Sequence, residues 1–148
     1  MKTISTTPTV KKKFNLKKKS KDTVSRWKKK CWDLFSQIVR YRDCGVDMYG
    51  NCCTCGARKH FSELQAGHFI PGRHNSILFD LRGCHAQCYH CNVGLKGNPI
   101  KFYKFMLDKY SQATIDDLER LDSEPKQFKV WMLKEIYDQL STVKKSLE

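Results

Sequence analysis

Two Cys-x-x-Cys pairs, Cys52/Cys55 and Cys88/Cys91, constrain this 148-residue chain more than any other feature. Each pair sits in a turn-forming context, "CTCG" and "CYHCN", where two thiolates face one side of a metal. Four sulfurs at ~2.3 Å from zinc make a closed tetrahedral site, and such sites are structural. The 32 residues between the pairs exceed the ~15–20 of the commonest zinc-ribbon spacing. That surplus accommodates a β-hairpin, and it carries His68, His74 and His85. The expectation is a structural Zn2+ on Cys52, Cys55, Cys88 and Cys91, clamping the base of a histidine-bearing hairpin.

Charge divides the chain in two. Residues 1–30 hold 12 Lys/Arg against one acid, Asp22, whereas residues 31–148 hold 16 against 14. The net charge of +13 therefore belongs mostly to an N-terminal arm. Residues 1–22 are rich in Lys, Thr and Ser and poor in large apolar side chains, which predicts a disordered arm. Residues 23–148 are then a single domain. Lys11, Lys12, Lys13, Lys17, Lys18 and Lys19 would bind a polyanion, because each neutralised phosphate releases condensed counterions. A merely solubilising tail is the plainer alternative. No apolar run approaches the ~20 residues that span a bilayer, so no membrane partner is expected. The remaining cysteines, Cys31, Cys44, Cys53 and Cys84, read as small buried hydrophobes.

Hydrophobic periodicity places the elements. Trp27, Cys31, Leu34 and Ile38 recur at helical spacing and predict a helix from about Ser25, with Lys28, Lys29 and Lys30 extending the basic surface. Residues 65–70 read as a strand stopped by Pro71 and Gly72, and residues 77–85 as the returning strand. A short helix follows the second cysteine pair. Asn98 and Pro99 read as the start of another, with Ile100, Tyr103, Leu107 and Tyr110 as its buried face. Thr114 and Asp117 have capping-box spacing for a third. Ser123 to Pro125 opens the last, whose stripe is Phe128, Met132, Ile136, Leu140 and Val143, with Trp131 alongside. The fold class is α+β.

A zinc-stapled ββα unit with a histidine on its first strand resembles the HNH, or ββα-metal, nuclease superfamily. Residues Ala66-Gly67-His68, His74, Leu78-Phe79-Asp80, His85-Ala86-Gln87-Cys88, Cys91-Asn92 and Gly97-Asn98 are more similar still to the phage NinG/Rap recombination proteins. Endonuclease VII, a zinc-clamped junction resolvase, is a more distant parallel through the Cys-x-x-Cys-Asn turn. The resemblance implies a DNA endonuclease of phage recombination, acting on branched DNA in the cytoplasm of the infected host. Paired incision of a junction would fit a homodimer. The rival expectation is a non-catalytic, zinc-containing DNA-binding accessory protein.

Elementary chemistry assigns roles within that frame. Phosphodiester hydrolysis needs a base for water and a cation for the phosphate. His68 is the expected base, since an imidazole titrates near neutral pH; a hydrogen bond inside a packed hairpin is its bland alternative. Asn92 and His85 are the expected ligands of a catalytic Mg2+ or Mn2+; the alternative for Asn92 is a plain N-cap, and for His85 a supporting contact to the zinc ligands or a protein-facing hydrogen bond. Arg73 and His74, in the polar loop, are expected to touch phosphate. Three positions depart from the family patterns: Gly67 and Gln65 stand where acids are usual, and Gly83 where an asparagine is. Asp80 or Glu63 would then have to supply the carboxylate.

Overall fold

The computed structural model describes residues 22–148, and the lysines at positions 11–13 and 17–19, expected to bind polyanion, lie outside them. Helix α1 spans Val24–Asp43, and the Thr23 hydroxyl caps it by accepting from the Arg26 N–H at 3.2 Å. Its buried stripe is Cys31, Phe35, Ile38 and Val39. Helix α4, Val130–Leu147, packs along it. Trp27 meets Tyr137 edge-on at 5.8 Å, and the Cys31 thiol donates to the Leu133 carbonyl at 3.1 Å.

Two antiparallel hairpins follow α1. Strands β1 (Tyr49–Asn51) and β2 (Arg58–His60) pair with Asn51 opposite Arg58 and carry the first cysteine pair at their tip. Strands β3 (Leu64–His68) and β4 (Cys84–Cys88) pair with Leu64 opposite Cys88 and His68 opposite Cys84. Side chains alternate across this ladder. Ala66 and Cys84 join the core under α1, while His85, on the other face, meets Phe102, Phe105 and Tyr110. Helices α2 (Pro99–Lys109) and α3 (Gln112–Asp122) close that face through Phe102, Met106, Ile115 and Leu118. The second hairpin is thus a layer between α1 and the α2–α3 pair.

Several expectations are corrected. The returning strand is residues 84–88, not 77–85, because residues 77–83 fold into turns. There the Asp80 carboxylate accepts from the Arg82 N–H at 2.9 Å, and Ile77 and Leu78 plug the core. Helix α2 buries Phe102 and Met106, and Ile100 is left 76% exposed. Asn98 sits in a left-handed conformation with no side-chain cap, and Ser111, not Thr114, precedes α3. Helix α4 starts at Val130, since residues 125–129 are irregular and bring Phe128 onto Phe79 at 5.7 Å. Leu133 and Leu140 carry its buried stripe, and Trp131 is 58% exposed.

Candidate functional site

The four expected ligand sulfurs converge. Cys52, Cys55, Cys88 and Cys91 place their Sγ atoms within 4.8 Å of one another, with Cys55 and Cys88 at 3.8 Å. A tetrahedron with ~2.3 Å metal–sulfur bonds has sulfur–sulfur edges of ~3.8 Å, so the cluster fits zinc. Local structure prepares each half. Gly56 (φ 76°) turns the β1–β2 tip and donates to the Cys52 carbonyl at 2.9 Å. Cys88 ends β4, and Cys91 lies in the wide helical turn His90–Gly94. The Asn98 amide, freed from capping, donates to the Cys91 sulfur at 3.5 Å. Burial alone would push the Cys52 thiol up, but the Thr54 hydroxyl and three backbone N–H groups bring it down to about 6. A thiolate is the form a metal binds.

His68 ends β3 on the α1 side of the hairpin. Its ring stacks on the Trp32 indole, centroids 5.0 Å apart and planes 23° apart. Nε2 lies 3.2 Å from the Leu78 carbonyl. A carbonyl only accepts, so the hydrogen sits on Nε2 and Nδ1 keeps its lone pair. Burial, with Arg73 nearby, holds the imidazolium below its ordinary range despite the Leu78 bond, so His68 is neutral at neutral pH. Asn92 lies within the helical turn and donates to the Gln65 side-chain oxygen at 2.8 Å. Trp32, Ser36, Arg40, Gln65 and Asn92 line one cleft of about 440 Å3 along the free edge of β3.

His85 has a different setting. It is 0% exposed. Arg42 donates to Nδ1 at 2.8 Å, with the Asp43 carboxylate 3.4 Å away, and Nε2 faces the Arg82 carbonyl at 3.1 Å and the Tyr110 hydroxyl at 3.2 Å. Both ring nitrogens are occupied, so His85 has no lone pair to offer a cation beside Asn92. The expectation that it is a cation ligand or catalytic group is withdrawn for that reason. Asp43 accepts from Arg42 at 2.7 Å and from the Ala86 N–H at 2.8 Å, and against the cost of burial His85, Arg42 and that backbone bond hold it well below the usual carboxylate range. This network ties the end of α1 to β4 and to Tyr110 just beyond α2.

A family profile described as Bacteriophage Lambda NinG protein matches residues 2–148. The chain belongs to the NinG family. Proteins named ninG from Escherichia phage 933W and Enterobacteria phage VT2-Sa are each 26% identical over 108 residues. Each match covers 72% of this chain and 51% of the relative, so the chain matches about half the length of these NinG proteins. No solved structure matches it.

In this NinG-family chain, the described basic residues expected at phosphate each rest on a protein group, not always a charged one. Lys28 donates to Asn75 at 2.7 Å, Lys29 pairs with Asp33 at 2.7 Å, and Lys30 lies over Trp27 at 4.3 Å. Arg73 lies over Trp32 at 4.2 Å. His74 is engaged with Asp122 at 2.6 Å, which competes with any phosphate. Asp80 pairs with Arg82 at 2.7 Å and Glu63 with Lys59 at 3.7 Å, so neither carboxylate is directed to Asn92. Cys31 and Cys84 are fully buried, as small hydrophobes would be, while Cys44 and Cys53 are half-buried. Nothing local in the sequence singles out Trp32, Arg42 or Asp43. Trp32 sits beside the α1 stripe, and Asp43 reads as a helix end; only the packing of α1 on the β3–β4 hairpin brings them to His68 and Ala86. No described helix is long and apolar enough to cross a membrane.

Proposed function

We propose that this NinG-family chain is a metal-dependent DNA endonuclease of phage recombination, cutting branched DNA such as Holliday junctions or D-loops in the infected bacterial cell. The observation that carries this reading is the state of His68. It is neutral, with its Nε2 hydrogen committed to Leu78, at the end of a strand whose other end abuts the four-cysteine cluster. A phosphodiesterase base needs that arrangement: a fixed ring with one free lone pair. In the proposed reaction, Nδ1 of His68 takes a proton from the attacking water. The Leu78 carbonyl stabilises the imidazolium formed, and Trp32 holds the ring plane.

Asn92 would present its amide oxygen to Mg2+ or Mn2+, completed by water and phosphate oxygens. Such a cation, when bound, neutralises charge on the phosphate. Zinc on the four cysteines serves the fold alone.

A second reading, a DNA-binding accessory protein without catalysis, is favoured by one observation. The partner of Asn92 is the neutral Gln65, not a carboxylate. The experiment is incubation of the zinc-loaded full chain with a synthetic four-way junction and Mg2+ or Mn2+. Cleavage by the wild type, slowed at least a hundredfold in His68→Ala (the lower end of the ~10²–10⁴ range for removal of a general base), supports the nuclease. If the wild type cuts neither branched nor linear DNA with either metal, the accessory reading replaces it.

A further inference from the structure

A groove of about 910 Å3 opens between the first half of α1 and the turn at Gly72 and Arg73. Lys28, Lys29, Trp32 and Arg73 line it, with Asp33 as its acid. Gly72 (φ 98°) and Arg73 (φ 53°) are successive left-handed residues. A Cβ at Gly72 would lie 2.8 Å from the His74 ring, so this turn needs glycine. The reversal brings the Arg73 guanidinium over the Trp32 ring at 4.2 Å, and the same indole stacks on His68. The turn is braced by the protein itself. Asn75 accepts from Lys28 at 2.7 Å and donates to the Lys126 carbonyl at 3.0 Å, and His74 is tied to Asp122.

The cations of the groove are poorly neutralised. Among the described residues, neither Arg73 nor Lys28 has a carboxylate partner within 4.0 Å; Arg73 rests on an aromatic face and Lys28 on a neutral amide. Lys29 has Asp33, but that pair is exposed and worth little. A cation held over an aromatic ring keeps its N–H donors free at its edge, which suits bidentate binding of a phosphate.

We infer that this groove is the docking site for the phosphodiester backbone of a DNA strand, with Arg73 and Lys28 as its main phosphate ligands and Lys29 at its rim. Trp32 is the platform that holds both Arg73 and His68, so a strand seated there is led to the β3 edge. The assignment of the strand as substrate rests on the nuclease reading; the groove as a phosphate site does not.

The test is equilibrium binding of fluorescein-labelled single-stranded and hairpin-duplex DNA to the full chain, titrated across salt. Arg73→Gln, and separately the Lys28→Gln/Lys29→Gln double variant, should weaken binding roughly tenfold. The slope of log affinity against log salt should flatten by ~0.7 to 0.9 for each phosphate no longer neutralised. Lys145→Gln makes the same single change of charge as Arg73→Gln near the Tyr41 end of α1, where Lys144 lies 6.0 Å from the Tyr41 ring, and should leave both unchanged. A fall with either DNA supports the site. Wild-type affinity and slope in both groove variants overturn it, and if one variant fails to fold the other decides. Weakened binding in a protein that never cuts DNA keeps the groove and removes the nuclease. Undiminished binding in variants of a protein that does cut keeps the nuclease and removes the groove.

Discussion

The side-chain oxygen of Gln87 fills the space beside Gly67: a Cβ built on Gly67 would lie 2.1 Å from it. Gln87 cannot easily retreat, because it is fully buried and its amide donates to the Thr54 hydroxyl at 3.1 Å and to the Gly97 carbonyl at 2.9 Å. The residue before His68 is therefore glycine for steric reasons, and an acid there would displace the side chain that links β4 to the segment leading into α2. Gly67→Ala should cost ~1–3 kcal/mol, the usual penalty for overpacking, measured by urea unfolding of the zinc-loaded protein. An unchanged midpoint would mean that Gln87 moves freely.

The four-cysteine cluster should be integral to folding. Structural zinc supplies an apparent ~10–16 kcal/mol in small zinc peptides, at or above the ~5–15 kcal/mol stability of a whole domain. Cys88→Ser should yield unfolded or insoluble protein, and metal analysis of the wild type should give one zinc per chain. Folded, metal-free wild type would refute this.

Cleavage should follow the protonation of His68. Burial lowers its pKa, so the free base persists to lower pH than an ordinary imidazole of ~6.5 would allow. The acid limb of kcat/KM against pH should then fall below pH ~6.5, with the rate declining as protonation removes the Nδ1 lone pair. A limb above that value would assign the titration to another group.

Periodicity and cysteine spacing made α1 and the metal cluster legible, because each is written in the types of residues at fixed intervals. What escaped depends on competition between near-equal local signals. Residues 77–79 are apolar enough for a strand, yet Asp80 turns the chain and sends them into the core instead. Helix α2 is apolar on most of its circumference, so only the packing of α3 decides that Phe102 and Met106 go inward. A buried histidine and a ligand histidine look alike in sequence. What distinguishes His85 is Asp43 and Arg42, some forty positions away.

Asp43→Ala should leave Arg42 without its carboxylate and the Ala86 N–H without its acceptor. The pair is only partly buried, so removing one partner and leaving hydrogen-bonding groups unsatisfied should cost ~1–3 kcal/mol. The loss should be full near pH 7, because Asp43 is held below the usual carboxylate range and its contribution is complete above the unfolded value of ~3.9. As pH falls below that value, wild-type stability should decline towards that of the variant. Urea unfolding of the zinc-loaded wild type and variant at pH 7 measures the difference, and an unchanged midpoint would exclude Asp43 as a source of stability.

The exposure of the metal-cluster sulfurs is uneven: Cys52, Cys88 and Cys91 are sealed and Cys55 is open to solvent. Oxidants and alkylating reagents therefore have one point of entry. Cys55 belongs to the β1–β2 tip, so its modification would release the outer hairpin first. The β3–β4 ladder that carries His68 would keep its five paired positions at that moment. Damage of this kind should begin as a loosened edge, with the interior intact, and a reductant with fresh zinc should reverse it while the thiol has gone no further than a disulfide or sulfenic acid.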